Sequence, residues 1–116
     1  MRTITVGTTA FKVETVDTES SRELGLSGRA SLSQGQGMLF VFDHPANWGF
    51  WMKDMHFAID IIFIDTNDVA TTIYRSISPD TYPQVFYPKN PDTKYVLEVA
   101  AGAAASIAEG DKLVVQ

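Results

Sequence analysis

The sequence predicts a mainly β domain: a small antiparallel barrel or strongly curled sheet with two short helices. Three observations carry that expectation. Apolar residues come in short runs such as Met38–Phe42 and Ile59–Asp65, too short for ordinary helices. Glycine and proline break the chain at frequent intervals. The connections between runs are mostly too short for parallel crossovers.

Each element has a local reason. Residues 3–7 and 10–16 read as two strands turning at Gly7-Thr8-Thr9. Phe11, Val13 and Thr15 share one face of the second strand, and Lys12, Glu14 and Val16 the other. Asp17 and Thr18 suit a helix N-cap, and Ser20-x-x-Glu23 fits a capping box. Glu19 falls in the first turn, where the helix dipole favours an acid. The predicted helix covers about residues 18–25, with Gly25 as its stop. It is short, so packing of Leu24 and Leu26 must hold it. Residues 30–37 are small and polar and read as a loop. Met38–Phe42 is a buried strand between Gly37 and Asp43-His44-Pro45. Pro45, Asn47 and Gly49 predict a turn, 49–52 a short strand, and 53–57 a connection. Ile59–Asp65 is the clearest strand, and Thr66-Asn67-Asp68 closes a hairpin onto 69–77.

Four of the five prolines fall between Pro79 and Pro91, which predicts an extended loop. A loop of that length in a small domain usually has a role or is mobile. It carries Tyr82, Phe86 and Tyr87. Tyr95–Val99 is a strand. The alanine-rich stretch 102–108 predicts the second short helix. Gly110-Asp111 turns the chain into a last strand over 112–115, with Asp111 bonding turn amides.

The 116 residues leave room for one core, so residues 1–116 read as a single domain. A hydrophobic share of 45% argues against disorder. The net charge of −5, with scattered lysines and arginines, argues against nucleic acid and anionic membrane as main partners. There is no cysteine, which excludes disulfides, thiolate zinc sites and cysteine nucleophiles. No apolar run approaches the ~18 residues of a membrane span. The N-terminus, MRTITVGTTAFKVE, is too polar for a signal peptide. As it stands the chain reads as soluble, without membrane insertion.

The motifs, taken together, have a family likeness. Arg22–Arg29 (RELGLSGR) precedes GMLFVF at 37–42, FWMKDM at 50–55, IDIIFID at 59–65, YVLEVAAG at 95–102 and Gly110-Asp111. In that order and spacing the chain resembles the DUF192 (UPF0127) family over about residues 15–114. The resemblance implies a compact β-rich domain of uncharacterised function. It also implies export or a place in the cell envelope, since many members carry export signals. It supplies no catalytic residue and no cofactor. The chain differs from many members at Ser27-Gly28, Asp54-Met55 and Ala58-Ile59.

The residues that carry chemistry cluster around 51–60. Asp60 lies on a strand with apolar residues on both faces, so its carboxyl must be paired or hydrogen-bonded. One reading is an ion pair with Arg22, Arg29 or Lys53 that pins the fold. The other is a ligand-contacting or acid–base carboxyl. Glu98 repeats the pattern among Val96, Leu97, Val99 and Ala100. If the two strands are neighbours, Asp60 and Glu98 form a carboxylate pair of the kind glycoside hydrolysis uses. Trp51 and Lys53 offer a ring face and a cation. Trp48, Tyr82, Phe86 and Tyr87 extend the ring surface if the proline loop folds over it. Asp54-x-His56-x-x-x-Asp60 has metal-ligand residue types, but with His44 as the only other histidine a zinc triad needs carboxylates too. Gly25-Leu26-Ser27-Gly28 does not fit a nucleophile elbow, and no phosphate-loop or dinucleotide signature is present.

The function expected from these residues is binding. Trp51, Lys53, Asp54, His56, Asp60, Tyr82, Phe86 and Tyr87 would face a small molecule, glycan or peptide, with no cofactor. A small hydrolase using Asp60 and Glu98 is the alternative, and a purely structural module is a third. Folding should not require metal, because no structural zinc set is present. The expected outcome is an unchanged melting temperature in EDTA, and a large drop overturns it.

Overall fold

The apolar runs become nine strands and one α-helix in a computed structural model that describes residues 1–116. In chain order they are β1 (Arg2–Val6), β2 (Thr9–Val16), α1 (Glu19–Leu24), β3 (Gln36–Ala46), β4 (Phe50–Trp51), β5 (Ile59–Asp65) and β6 (Ala70–Ile77). A 3₁₀ turn at Pro79–Thr81 follows, then β7 (Val85–Phe86), β8 (Thr93–Ala100) and β9 (Leu113–Val115). Seven strands form one sheet in the order β6-β5-β8-β3-β2-β1-β9, curled into a half-barrel. β4 and β7 pair separately. The fold is mainly β and mainly antiparallel, as the short runs predict. The exception is β2–β3, a parallel pair whose crossover carries α1.

Curling brings the two edges of the sheet together at one end. Val69 and Lys112 form an isolated bridge, Ala70 N donates to Asp111 O at 2.8 Å, and Leu113 N donates to Asp68 O at 2.7 Å. The inward face holds one core, with Ile4, Val6, Phe11, Val13, Leu39, Ile62, Ile64, Leu97 and Val99 among its members. The opposite face of β3, β5 and β8 holds a second core of Met38, Phe40, Phe42, Ile59, Ile61, Phe63 and Val96. Leu26, Met52 and Met55 cover that outer face from the connections. The alternation of side chains along each strand therefore fills both cores from the same three strands.

Several local expectations change. Residues 102–108 do not form a helix but a chain of tight turns, with Ala103 N donating to Ala100 O, Ala105 N to Gly102 O and Ile107 N to Ala104 O. Other groups satisfy this backbone instead. Asp60 accepts from Gly102 N and Ala104 N, and Arg75 donates to the carbonyls of Ala104 and Ile107. Alanine propensity loses here to tertiary hydrogen bonds and to burial of Ala104 and Ile107. The cap of α1 is Thr18, and its box partner is Ser21 rather than Glu23. Leu24 is 64% exposed, so Leu26 alone is buried behind the helix. β3 runs through Pro45 to Ala46, past an irregularity between Val41 and Ala46, where a turn was expected. The proline loop contains β7, a short strand.

The expected ion pair of Asp60 is absent. Arg29 bonds Glu14 at 2.7 Å at the surface. Arg22 Nη1 donates to the carbonyls of Asp17 and Val41, and Lys53 is exposed. Asp60 is 1% exposed and accepts from three backbone N–H groups: Ser76 at 2.7 Å, and Gly102 and Ala104 at 3.1 Å each. It faces the inward core, where main-chain donors reach it and long basic side chains do not. The carboxyl thereby fastens the 100–107 turns and the end of β6 to β5. Asp60→Asn turns one acceptor into a donor against these N–H groups. Leaving a buried donor unmatched costs roughly 1–3 kcal/mol, which urea unfolding should show as lost stability. Equal stability of the variant would remove Asp60 from this role.

Candidate functional site

The outer core is not fully covered. Between α1 with its following turn, the end of β3, and the segment from Trp48 to Met55, a cleft of about 900 Å³ opens. β3 supplies Phe40 and Phe42 to its walls, and the β4 region supplies Trp48, Phe50 and Trp51. The rings fix one another. Phe42 stacks on Trp48 with centroids 4.3 Å apart, and Phe50 meets Phe40 edge-on at 4.9 Å. Trp48 Nε1 donates to His44 O at 3.1 Å. The two walls are tied at one end. Ser27 Oγ donates to Lys53 O at 3.2 Å, and Gly28 N donates to Asp54 O at 2.9 Å.

Glu98 of β8 also lines the cleft, at the level of the sheet. Its neighbours in register are Met38 on β3 and Ile61 on β5, both apolar and both buried. The residue is 5% exposed. Its carboxyl makes no hydrogen bond or ion pair within the chain, and burial alone pushes its pKa up from 4.5 to about 8. At neutral pH it is a carboxylic acid that can both donate and accept. The rim is mainly acidic, with Glu19, Glu23, Asp43 and Asp54 against Arg22 and Lys53. The two cations rest on rings: Arg22 lies 5.1 Å from the Phe42 centroid, and Lys53 Nζ lies 5.7 Å from that of Trp51.

The structure brings some of the sequence candidates together and separates others. Trp51, Lys53 and Asp54 line the cleft with Glu98. Tyr82 meets Trp51 with centroids 5.1 Å apart, and both rings are almost half exposed. Tyr87 packs beside Gly49, where a Cβ would come within 2.7 Å of the tyrosine ring and of Val85. Only glycine fits there, so Gly49 lets the proline loop lie against the β4 region. Phe86 is buried against Tyr74 and belongs to the packing beneath β4. His56 is exposed and does not line the cleft. No group of three or more metal-ligating side chains forms, so Asp54, His56 and Asp60 do not assemble.

Asp60 and Glu98 are not a carboxylate pair. β5 and β8 are neighbours, but Asp60 stands opposite Val99 and Glu98 opposite Ile61. Successive residues on a strand point to opposite faces, so one carboxyl enters the inner core and the other the cleft. The hydrolase reading built on that pair loses its geometry. Sequence reasoning missed the other wall, α1 with Glu19 and Glu23. The available signal was α1 itself, Glu-Ser-Ser-Arg-Glu-Leu, which has too little apolar surface to be a core helix and buries none of its residues.

A family model matches residues 2–115, nearly the whole chain. The chain belongs to the DUF192 family. That family is described only as an uncharacterized conserved group. Two solved structures are similar to this DUF192 domain. A protein of unknown function from Novosphingobium aromaticivorans is 30% identical with a TM-score of 0.90, over 97% of this chain and 83% of that one. A protein provisionally described as a transcription regulator from Sinorhizobium meliloti is 27% identical with a TM-score of 0.90, over 98% and 92%. No curated protein matches. No helix of the DUF192 domain is long and apolar enough to cross a membrane.

The Glu98 environment has a measurable consequence. Below about pH 4.5 folded and unfolded chains both hold its proton, and above about pH 8 neither does. Between these values the folded chain keeps a proton that the unfolded chain has lost. Stability from this group therefore falls as pH rises, by at most about 1.4 kcal/mol per unit. Glu98→Gln removes that dependence. Urea unfolding from pH 5 to 8 should show the variant gaining stability relative to the parent, and parallel curves would overturn the assignment.

Proposed function

We propose that this DUF192 domain is a binding module, with its ligand in the cleft between α1 and the Trp48–Met55 segment. The polar end of the ligand meets Glu98, and its apolar body lies against the aromatic wall of Phe42, Trp48, Phe50 and Trp51. The observation that supports this reading is the state of Glu98: buried, without a partner in the chain, and open to an aromatic cleft. Most buried polar groups with a purely structural task are hydrogen-bonded, as Asp60 is. A buried acid left unpaired beside a cavity carries a desolvation cost that binding sites tolerate. The volume suits a small organic molecule, and the walls combine aromatic rings with charged side chains. The exposed rings of Trp51 and Tyr82 extend the surface toward the proline loop.

The test is a thermal-shift screen over glycans, short peptides and small polar molecules, repeated with Trp51→Ala and Glu98→Gln. A ligand at a hundredfold excess over its Kd adds about 2.7 kcal/mol of stability, so a true hit raises the melting temperature of the parent clearly. Both substitutions should weaken the hit. Ligands whose effect survives both changes, or a screen without hits, would overturn the reading.

A further inference from the structure

The charge of the cleft narrows the class of ligand. Among the ionisable groups on its walls, four acids stand against Arg22, Lys53 and His44, before Glu98 is counted. Arg22 is partly engaged, because its Nη1 donates to the Asp17 and Val41 carbonyls while its guanidinium covers Phe42. The whole chain, cleft included, carries a net charge of −5. The rings of Phe42 and Trp51 each already hold a cation of this chain against them. The one polar side chain at the level of the sheet, Glu98, is unpartnered and 95% buried by its 5% exposure. Acidic rim, ring faces and a lone carboxyl are complementary to a positive charge on an apolar body.

We propose that the cleft takes a small organic cation, a primary ammonium on an aromatic or apolar body, which pairs with Glu98 and displaces its proton to solvent. This rests on the binding reading above and names the chemistry of the occupant. On binding, the carboxylic acid becomes a carboxylate, the ammonium keeps its protons and donates from them, and one proton passes to buffer. Every charged group facing Glu98 across the cleft is known. α1 presents Glu19, Arg22 and Glu23. The end of β3 presents Asp43 and His44, and the β4 side presents Lys53 and Asp54. From the flanking strands only Met38 and Ile61 stand beside it. With burial as the cause that keeps Glu98 protonated, an ammonium at contact distance favours the ionised form.

The experiment uses phenethylammonium, the uncharged 2-phenylethanol and the anionic 3-phenylpropionate as probes. Calorimetry at pH 7 is run in two buffers of different ionisation enthalpy, with tryptophan fluorescence in parallel. The ammonium should bind at least about tenfold more tightly than the other two. Its heat should depend on the buffer, reporting proton release. Glu98→Gln, verified as folded by circular dichroism, should weaken the ammonium by a similar factor and abolish the buffer dependence. Equal or tighter binding of the alcohol or the carboxylate, with sensitivity to Trp51→Ala and Glu98→Gln, overturns the cation assignment and leaves the binding reading standing. Buffer-independent heat, or no binding of phenethylammonium at millimolar concentration, overturns the assignment as well. Hits that ignore both substitutions overturn the binding reading itself.

Discussion

Strands β3, β5 and β8 carry apolar side chains on both faces, and the rest of the structure follows from having to cover both. The inward face is covered by the sheet itself. Curling brings β1, β2 and β9 over it, and the edges join near Val69 and Lys112. No strand of the curled sheet covers the outward face. Leu26, Met52 and Met55 must do so from connections, helped by Phe50 of β4. A cover made from one short helix and one irregular segment leaves a gap, and the gap is the cleft. The site is thus a consequence of how a two-faced sheet is closed in a small chain.

The two buried acids show how alternation decides the fate of a residue. Asp60 and Glu98 lie on adjacent strands and within one residue of register. One step along the strand sends Asp60 inward, where the turns after β8 and the end of β6 bring three N–H groups to it. The same step sends Glu98 outward among Met38 and Ile61, where no donor reaches it. A satisfied acid stabilises the fold. An unsatisfied one destabilises it in proportion to how far its proton affinity is raised. The contrast separates a carboxyl that fastens the fold from one that has no partner in it.

Much of the fold was legible from local signals. Ile59–Asp65 and Met38–Phe42 read as strands because short apolar runs between turn residues have few other uses. Thr18 and Gly25 bound α1 as caps should. What failed depended on distant partners. Nothing local shows that Asp60 and Arg75 bond the backbone of 100–107 and so replace helix hydrogen bonds there. The Asp60–arginine pair failed for the same reason, since main-chain donors leave no trace in a sequence. The candidate site was half legible. Trp51, Lys53, Asp54 and Glu98 were all singled out, but which carboxyl shared their side of the sheet depended on the register of β5 and β8. The acids of α1 entered only with the crossover that lays the helix across the outer face.

That crossover also fixes the shape of the cleft. Ser27 and Gly28 leave α1 and bond the carbonyls of Lys53 and Asp54, so the two walls cannot part at that end without losing both bonds. Stacking of Phe42 on Trp48, and the edge contacts of Phe50, hold the rings in the orientation the cleft presents. Gly49 lets Tyr87 and Val85 press against the β4 region from behind. An occupant therefore meets walls that are already ordered. Ordering side chains on binding costs about 0.5–1.5 kcal/mol for each flexible group, and here most of that order is supplied by folding. The exposed parts are at the rim, at Lys53, Trp51 and Tyr82. A ligand of the proposed kind would meet the ordered rings first and the exposed charged rim second, with Glu98 where the two meet.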